Sequence, residues 1–270
     1  IGVGLVGSEM CIRDRMIALG FATTAHSADI TGKVSVDMTE NTANDYIATK
    51  KIEMGIAGDS GVGFGSIAIK TDANDDVILD KYHLGANLSE TSSVQYGKQG
   101  DIFLDGGLEV VGNNKIANPS DLGESIIGKM GNFQARAKFT DTGTDVTDFD
   151  TIQATYSTTV SKFTLGAGVD HTISTDDNIY AGTVAFDVAE GMTLSTVATH
   201  DSSLANEVAY ESMIKVGSLS AYVDGDEGDW SQNVGAGYKS TWKDLTWYVE
   251  ANYNLDSEET TPAMGVSLSF

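Results

Sequence analysis

The fold is decided by the C-terminal stretch Leu245–Phe270, which reads LTWYVEANYNLDSEETTPAMGVSLSF. Apolar and polar residues alternate on both sides of the acidic segment 256–259. The apolar positions are Leu245, Trp247, Val249, Ala251 and Tyr253 before this segment, and Met264, Val266, Leu268 and Phe270 after it. Because successive side chains of a β-strand point to opposite faces, the stretch predicts a hairpin with one apolar face and one polar face.

The composition favours a β-rich chain that does not bind nucleic acid. The 270 residues include only 2 prolines but 30 glycines, a pattern typical of many short strands and turns. The formal net charge of −23 excludes a nucleic-acid partner, because phosphate neutralisation requires a basic surface. No segment approaches the ~18 consecutive apolar residues of a membrane-spanning helix. A membrane β-barrel does not need such a segment, since only alternate residues of its strands face lipid.

Residues 1–27 are expected to lie outside the fold. Residues 1–15 contain GSEMCIRDR, including the single cysteine, and resemble a translated sequencing-adapter read; we interpret them as an artefact of the gene. Residues 16–27 begin with an apolar run and end with small residues at Ala25 and Ser27, which is typical of the end of a signal peptide cleaved before Ala28. The alternative is a short buried apolar segment. Residues 28–270 are predicted to form a single domain.

Alternating patterns recur from Ile30 to the C terminus, and most are close to the ~9–11 residues that a tilted strand needs to cross a bilayer. Their connections are of two kinds. Short ones such as Gly131–Asn132 and Gly217–Ser218 alternate with longer acidic ones such as Asp141–Asp148 and Asp256–Glu259. Short turns at one rim and longer loops at the other are typical of transmembrane β-barrels.

Two segments interrupt the alternation. Residues 71–91 are predicted to form a long, partly structured loop with a strand-like piece around Leu84, and a short fifth strand is expected at Ile102 and Leu104. Gly106–Glu124 has no periodicity, and a loop of that length indicates either a functional role or a misassignment of the elements around it. Counting Ser125–Met130 as the sixth strand gives about sixteen strands, an even number, as closure by a single chain usually requires.

In their order along the chain, these features resemble the bacterial general porins over Ala28–Phe270. The signal-like segment, the two kinds of turn, the long interruption after the fifth strand and the terminal Phe270 carry the resemblance. It implies an all-β, transmembrane antiparallel up-and-down barrel with a long third loop folded inward. It also implies a homotrimer in the outer membrane of a Gram-negative bacterium, surrounded by lipid, that passes ions and small hydrophilic solutes by passive diffusion. No enzymatic activity, cofactor or metal is implied.

The resemblance gives the C-terminal strand two roles. Phe270 would be part of the address that the barrel assembly machinery reads. An open sheet edge cannot persist in lipid, so Met264, Val266 and Leu268 are expected to pair with the first strand, around Ile30–Met38, and to close the barrel.

The same resemblance suggests where a pore constriction would lie. The inward third loop would supply the acidic residues of the constriction, namely Glu109, Asp121 and Glu124. Strand register places basic residues on the lumen face, namely Lys33, Lys51, Lys70, Arg136 and Lys138. Opposed acidic and basic walls would orient polar solutes and sieve them by size and charge. Individually, each residue could instead be an ordinary solvated side chain of the lumen.

Three alternatives remain open from the sequence. Residues 72–76 and 224–229 could bind Ca²⁺ through clustered carboxylates, although they lack the spacing of a calcium loop. An outer-membrane hydrolase could use His83, His171 or His200, but neighbours such as His200 and Asp201 point to opposite faces of a strand. A secreted soluble β-sandwich would need a second sheet to cover the apolar faces.

Overall fold

The computed structural model describes residues 29–40, 46–71, 76–100, 102–103, 122–140, 148–204, 208–229 and 232–269. In these described residues, sixteen strands form a closed barrel in which each strand pairs antiparallel with its neighbours in the sequence, and β1 pairs with β16. The strands are β1 Asp29–Glu40, β2 Tyr46–Asp59, β3 Gly63–Thr71, β4 Val77–Ser89, β5 Ser92–Gln99, β6 Gly123–Met130, β7 Phe133–Phe139, β8 Phe149–Val160, β9 Phe163–Thr172, β10 Asp177–Ala189, β11 Met192–Asp201, β12 Val208–Val216, β13 Leu219–Asp226, β14 Asn233–Trp242, β15 Leu245–Asn254 and β16 Glu259–Ser269.

The pairing of the first and last strands closes the barrel as the sequence predicted. Val34 lies opposite Leu268, Val36 opposite Val266, and Met38 opposite Met264. This register keeps the apolar side chains of both strands on one face, which is the condition that fixes strand register when the two faces differ in environment. Phe270 lies outside the described residues.

The two rims differ in the length of their connections. At one rim, seven turns of two or three residues join β2 to β3 and each later even-numbered strand to the next. At the other rim, loops of 4 to 23 residues join each odd-numbered strand to the next. Gly131, in the two-residue turn between β6 and β7, has a φ of +57°. Glycine adopts this conformation without steric cost, and tight hairpins favour it. The predicted alternation of short and long connections is confirmed.

Apolar side chains cover the outside of the barrel and polar ones line the inside. On β2, Ile52, Met54 and Ile56 are each 45–48% exposed, and Trp247 and Val249 on β15 are 39% and 48% exposed. A soluble domain would bury such a surface, because each exposed large side chain forgoes about 1.5–3 kcal/mol of burial. The part of the chain that the structure describes contains no second sheet that could cover it, so the β-sandwich alternative is wrong. Among the described residues, no helix has the length and apolar character to cross a membrane.

The predicted strand count is right, but two strands were assigned incorrectly. Residues 71–91, predicted to be a loop, contain the full strand β4, Val77–Ser89. An irregularity in its pairing with β3, between Ala68 and Ile69, breaks the alternation that a sequence pattern requires. The predicted fifth strand at Ile102 is not a strand: Ile102 and Phe103 are buried residues beyond the end of β5 at Gln99. Leu104 lies outside the described residues.

Candidate functional site

The lumen is lined by cross-strand rows of inward side chains. One row runs over five neighbouring strands through Gln95, Ile127, Arg136, Gln153 and Asp170. Arg136 and Gln153 are each only 1% exposed, and Ile127 is 7% exposed. This arc of the inner wall is therefore covered rather than open to bulk water.

The segment after β5 enters the lumen and contacts the inner wall. The backbone amide of Ile102 donates a hydrogen bond to Gln153 Oε1 on β8, at 3.2 Å. Phe103, 2% exposed, packs against Ala181 and Ile179 on β10. Ala181 takes the inward register, because it alternates with the exposed Tyr180. The described start of the loop thus crosses from β5 to β10 inside the barrel.

Arg136, on β7, forms hydrogen bonds both to the end of β5 and to the inner wall at β8. Its Nη2 donates to the carbonyl oxygen of Gln99 at the end of β5, at 3.2 Å, and its Nη1 donates to Gln153 Oε1 at 3.3 Å. Gln153 in turn donates to Asp170 on β9, at 2.9 Å. The guanidinium therefore links the start of the loop to the wall, and hydrogen bonds to a charged group of this kind contribute about 1.5–3 kcal/mol each.

Lys33, Lys70 and Lys138 take the expected inward register, but Lys70 and Lys138 are neutralised locally. Lys70 forms an ion pair with Asp80 on β4, and Lys138 forms one with Asp150 on β8 at 2.9 Å. Lys33 is exposed. Lys51 lies on β2 opposite Ser35, and its side chain is outside the described part of the structure.

The predicted acidic constriction is corrected at Glu124. This residue belongs to β6 rather than to the loop. It lies two and six positions before the exposed Ile126 and Met130, on the same face of the strand, so it takes the outward register. Its carboxylate accepts hydrogen bonds from the hydroxyls of Tyr82 and Tyr96, the latter at 2.6 Å. Glu109 and Asp121 lie outside the described residues.

Two acidic residues that were not among the predicted constriction residues lie on β12 and β13. Glu211 on β12 and Asp224 on β13 are direct cross-strand partners and are only 2% and 6% exposed. Asn233 donates to Asp224 Oδ1 at 2.7 Å. Tyr222 lies within electrostatic range of both carboxylates and donates to Glu250 Oε1 at 3.3 Å. The alternation of apolar and polar residues in β12 and β13 predicts that Glu211 and Asp224 face inward, but it does not predict that they are buried.

Aromatic side chains face outward near both rims. Four of these outward residues are between 36% and 49% exposed, namely Tyr156, Phe163, Trp247 and Tyr253. Phe163 stacks on Phe186 with ring centroids 4.6 Å apart. Exposed rings at the ends of strands are suited to a membrane–water interface, where an amphipathic ring is most stable.

The three candidate catalytic histidines do not lie together. His83 faces the lumen and shares a hydrogen bond with Ser66 at 3.1 Å. His171 contacts Asn178, and His200 stacks on Tyr180 on the outer face. The described residues contain no group of three or more His, Cys, Asp or Glu side chains that could hold a metal ion. Of the proposed calcium segments, 72–75 is outside the described residues, and Asp224 and Asp226 belong to β13.

The acidic loops at the long-loop rim contact one another. Asp256, between β15 and β16, shares a hydrogen bond with Asp229, between β13 and β14. The negative charge of Asp229, followed by this hydrogen bond, raises the pKa of the exposed Asp256 carboxyl above its ordinary value. Protonation of Asp256 therefore favours the contact between the two loops.

These features define a class of protein: a closed sixteen-stranded barrel, apolar outside and polar inside, in which the segment after the fifth strand enters the lumen. Solved structures that the chain resembles include porins. Salmonella typhi OmpF, solved in complex with daunomycin, has a TM-score of 0.67 at 13% sequence identity, covering 90% of this chain and 97% of OmpF. Two mutants of the Rh. blastica porin have TM-scores of 0.65 and 0.66 at 14% and 13% identity, covering 90% of this chain and 99% of the porin.

The likeness to these porins is one of fold, and it confirms the fold class that the sequence predicted. No protein-family model matches the sequence, and no curated protein sequence is significantly similar to it.

Proposed function

We propose that the protein is an outer-membrane porin of a Gram-negative bacterium, a passive channel for ions and small hydrophilic solutes. The observation that carries this proposal is the inverted distribution of side chains around a closed ring. Large apolar residues are exposed on the outer face, whereas the inner face carries Arg136, Gln153, Glu211 and other polar groups. A barrel with an apolar band outside and a polar interior is suited to cross a bilayer and to hold water.

The segment after β5 supports sieving by size and charge. Phe103 is held against β10 inside the barrel, so the segment after β5 starts within the lumen. Glu109 and Asp121 on this segment remain proposed constriction residues. Opposite them, the basic side chains of Lys33, Lys51, Lys70, Arg136 and Lys138 would line the other part of the neck.

The proposal extends to assembly. Residues 16–27 would direct export and residues 28–270 would form the single barrel domain, while residues 1–15 would be an artefact. Phe270 would serve the barrel assembly machinery, and three copies would associate in the outer-membrane lipid. No cofactor, metal or nucleic acid is required, and no catalytic role is proposed.

Swelling of proteoliposomes tests the proposed function. Vesicles containing the folded barrel should swell in solutions of small sugars, at rates that fall steeply as the sugar becomes larger. Vesicles without protein are the control. Swelling rates that do not depend on sugar size would contradict sieving, and no swelling above the protein-free control would contradict a diffusion channel.

A further inference from the structure

A depression in the inner wall lies across strands β12 to β15, toward the short-turn rim. Its volume is about 620 Å³, within the range of about 300–1,000 Å³ that is common for ligand pockets. Its lining includes two lysines, Lys215 and Lys239, one carboxylate, Glu250, and the ring of Tyr248. All four residues take the inward register. The depression therefore presents both signs of charge to the lumen.

The floor of the depression is flat because it contains a glycine. Lys215, Ser220, Gly237 and Glu250 form one cross-strand row. A Cβ atom at Gly237 would lie 3.1 Å from Ser220 Oγ and 3.9 Å from Glu250 Cγ, so any other residue would fill the space between the charged ends. With strands roughly 4.8 Å apart, the backbones of Lys215 and Glu250 are separated by about 14 Å. A short peptide can span the gap between their charged groups.

The two lysines are available to a solute. Both side chains are exposed, and neither forms an ion pair among the described residues. Glu250 is oriented from the other side by the hydroxyl of Tyr222, at 3.3 Å. The Tyr222 ring reaches it across Gly235, where a Cβ atom would lie only 2.1 Å from the ring. Because Tyr222 holds Glu250, the opposite charges of the depression stay apart instead of pairing with each other.

We propose that this depression is a binding subsite for short zwitterionic peptides on their way through the channel. The C-terminal carboxylate binds Lys215 and Lys239, and the N-terminal ammonium binds Glu250. Tyr248 supplies a ring against which the chain of the peptide packs. The inference rests on the proposed function, because the subsite is useful only if solutes enter the lumen.

Current recordings from single channels in planar bilayers test the subsite with three probes of one length. These are trialanine, which carries both end charges, N-acetyl-trialanine, which carries only the carboxylate, and N-acetyl-trialanine amide, which is neutral. In the wild-type channel, trialanine should interrupt the current at the lowest concentration, the singly blocked peptide at a higher one, and the neutral peptide at the highest. Equal potency of trialanine and the neutral peptide would overturn the proposal.

The double substitution Lys215→Gln and Lys239→Gln should raise the half-blocking concentration of trialanine at least about fivefold, the factor for losing one ion pair at ~4 Å in water. The matched control is Lys129→Gln. Lys129 is an exposed inward lysine on β6, near the same rim but far from the depression, and its substitution should leave the value unchanged.

The outcomes separate the subsite from the channel. Normal conductance with an unchanged half-blocking concentration in the double variant would overturn the subsite and leave the channel intact. Equal potency of trialanine and N-acetyl-trialanine would overturn the role of Glu250 and with it the assignment to zwitterions. A folded wild-type barrel without conductance would overturn the proposed function, and the subsite with it.

Discussion

Phe103 packs against Ala181 of β10 inside the barrel, although Phe103 follows β5, which lies five strands away from β10 in the ring. The contact attaches the segment after β5 to a distant part of the inner wall. The phenyl ring of Phe103 is 2% exposed, so the segment is held by close packing of a buried side chain. A single substitution at Phe103 can therefore remove this contact.

Phe103→Ala should widen the channel. Truncating a buried phenylalanine costs about 3–5 kcal/mol, and here the cost falls on the attachment of the loop rather than on the strand pairing. We expect a larger single-channel conductance and faster uptake of larger sugars. Phe133→Ala, which removes an outward ring that is 40% exposed, is the control and should change neither. Unchanged conductance and sieving in Phe103→Ala would show that the ring does not hold the constriction.

Asp224→Asn should stabilise the barrel. Asp224 and Glu211 are buried cross-strand partners of like charge, and such a pair is destabilising by roughly 0.2–1 kcal/mol. Asparagine keeps an oxygen that can accept from Asn233 and offers a donor in place of the second oxygen. The urea midpoint of unfolding, followed by heat-modifiable gel mobility, should rise. A lower midpoint would mean that the two carboxylates share a bound cation or another partner that the amide cannot replace.

Val266→Arg should impair folding in lipid. Val266 is 41% exposed on the outer face of β16 and lies opposite Val36 at the closing seam. An arginine facing the bilayer midplane costs about 2–4 kcal/mol. Ser267→Arg introduces the same side chain one position along, on the inner face. The urea midpoint of unfolding in vesicles measures the stability of each variant. An equal decrease of the midpoint in the two variants would contradict the assignment of Val266 to the outer face and Ser267 to the inner face.

The contact between the acidic loops should depend on pH. The pKa of Asp256 is raised by Asp229, so the folded state binds more protons than the unfolded state between the ordinary and the raised pKa. Stability of the contact is therefore complete below the ordinary pKa and is lost as the pH rises through the raised one. Hydrogen exchange of residues 255–258, corrected for intrinsic rates, should show more protection at low pH. Asp229→Asn should remove this difference; a pH effect that persists would point to another group.

Strand register was predictable from the sequence because it depends on alternation alone. Val34 and Val266 face outward and Arg136 faces inward, as their positions in the alternating pattern indicate. The closing pair of strands followed from the requirement that no edge remain open in lipid. These are local or topological rules, and sixteen repetitions of them determine the fold.

The interior of the lumen could not be predicted in the same way. Ile102 and Phe103 have the apolar character of a strand, but they are buried against side chains far away in the sequence. Glu124 was assigned to the constriction because the start of β6 is not visible from periodicity, and Tyr82 and Tyr96 hold it on the outer face. The alternation of β3 predicts that Lys70 is a cation of the lumen. In the structure it forms an ion pair with Asp80, which lies where the pairing of β4 with β3 is irregular. Each of these outcomes depends on tertiary contacts.

The central claim is that this barrel encloses a water-filled path across a membrane. The measurement that tests it most directly is the current through planar bilayers after addition of the purified barrel, whose fold has first been verified by heat-modifiable gel mobility. We predict stepwise increases in conductance that remain open at low voltage and scale with the salt concentration. Folded, bilayer-inserted protein that produces no conductance steps would contradict the account.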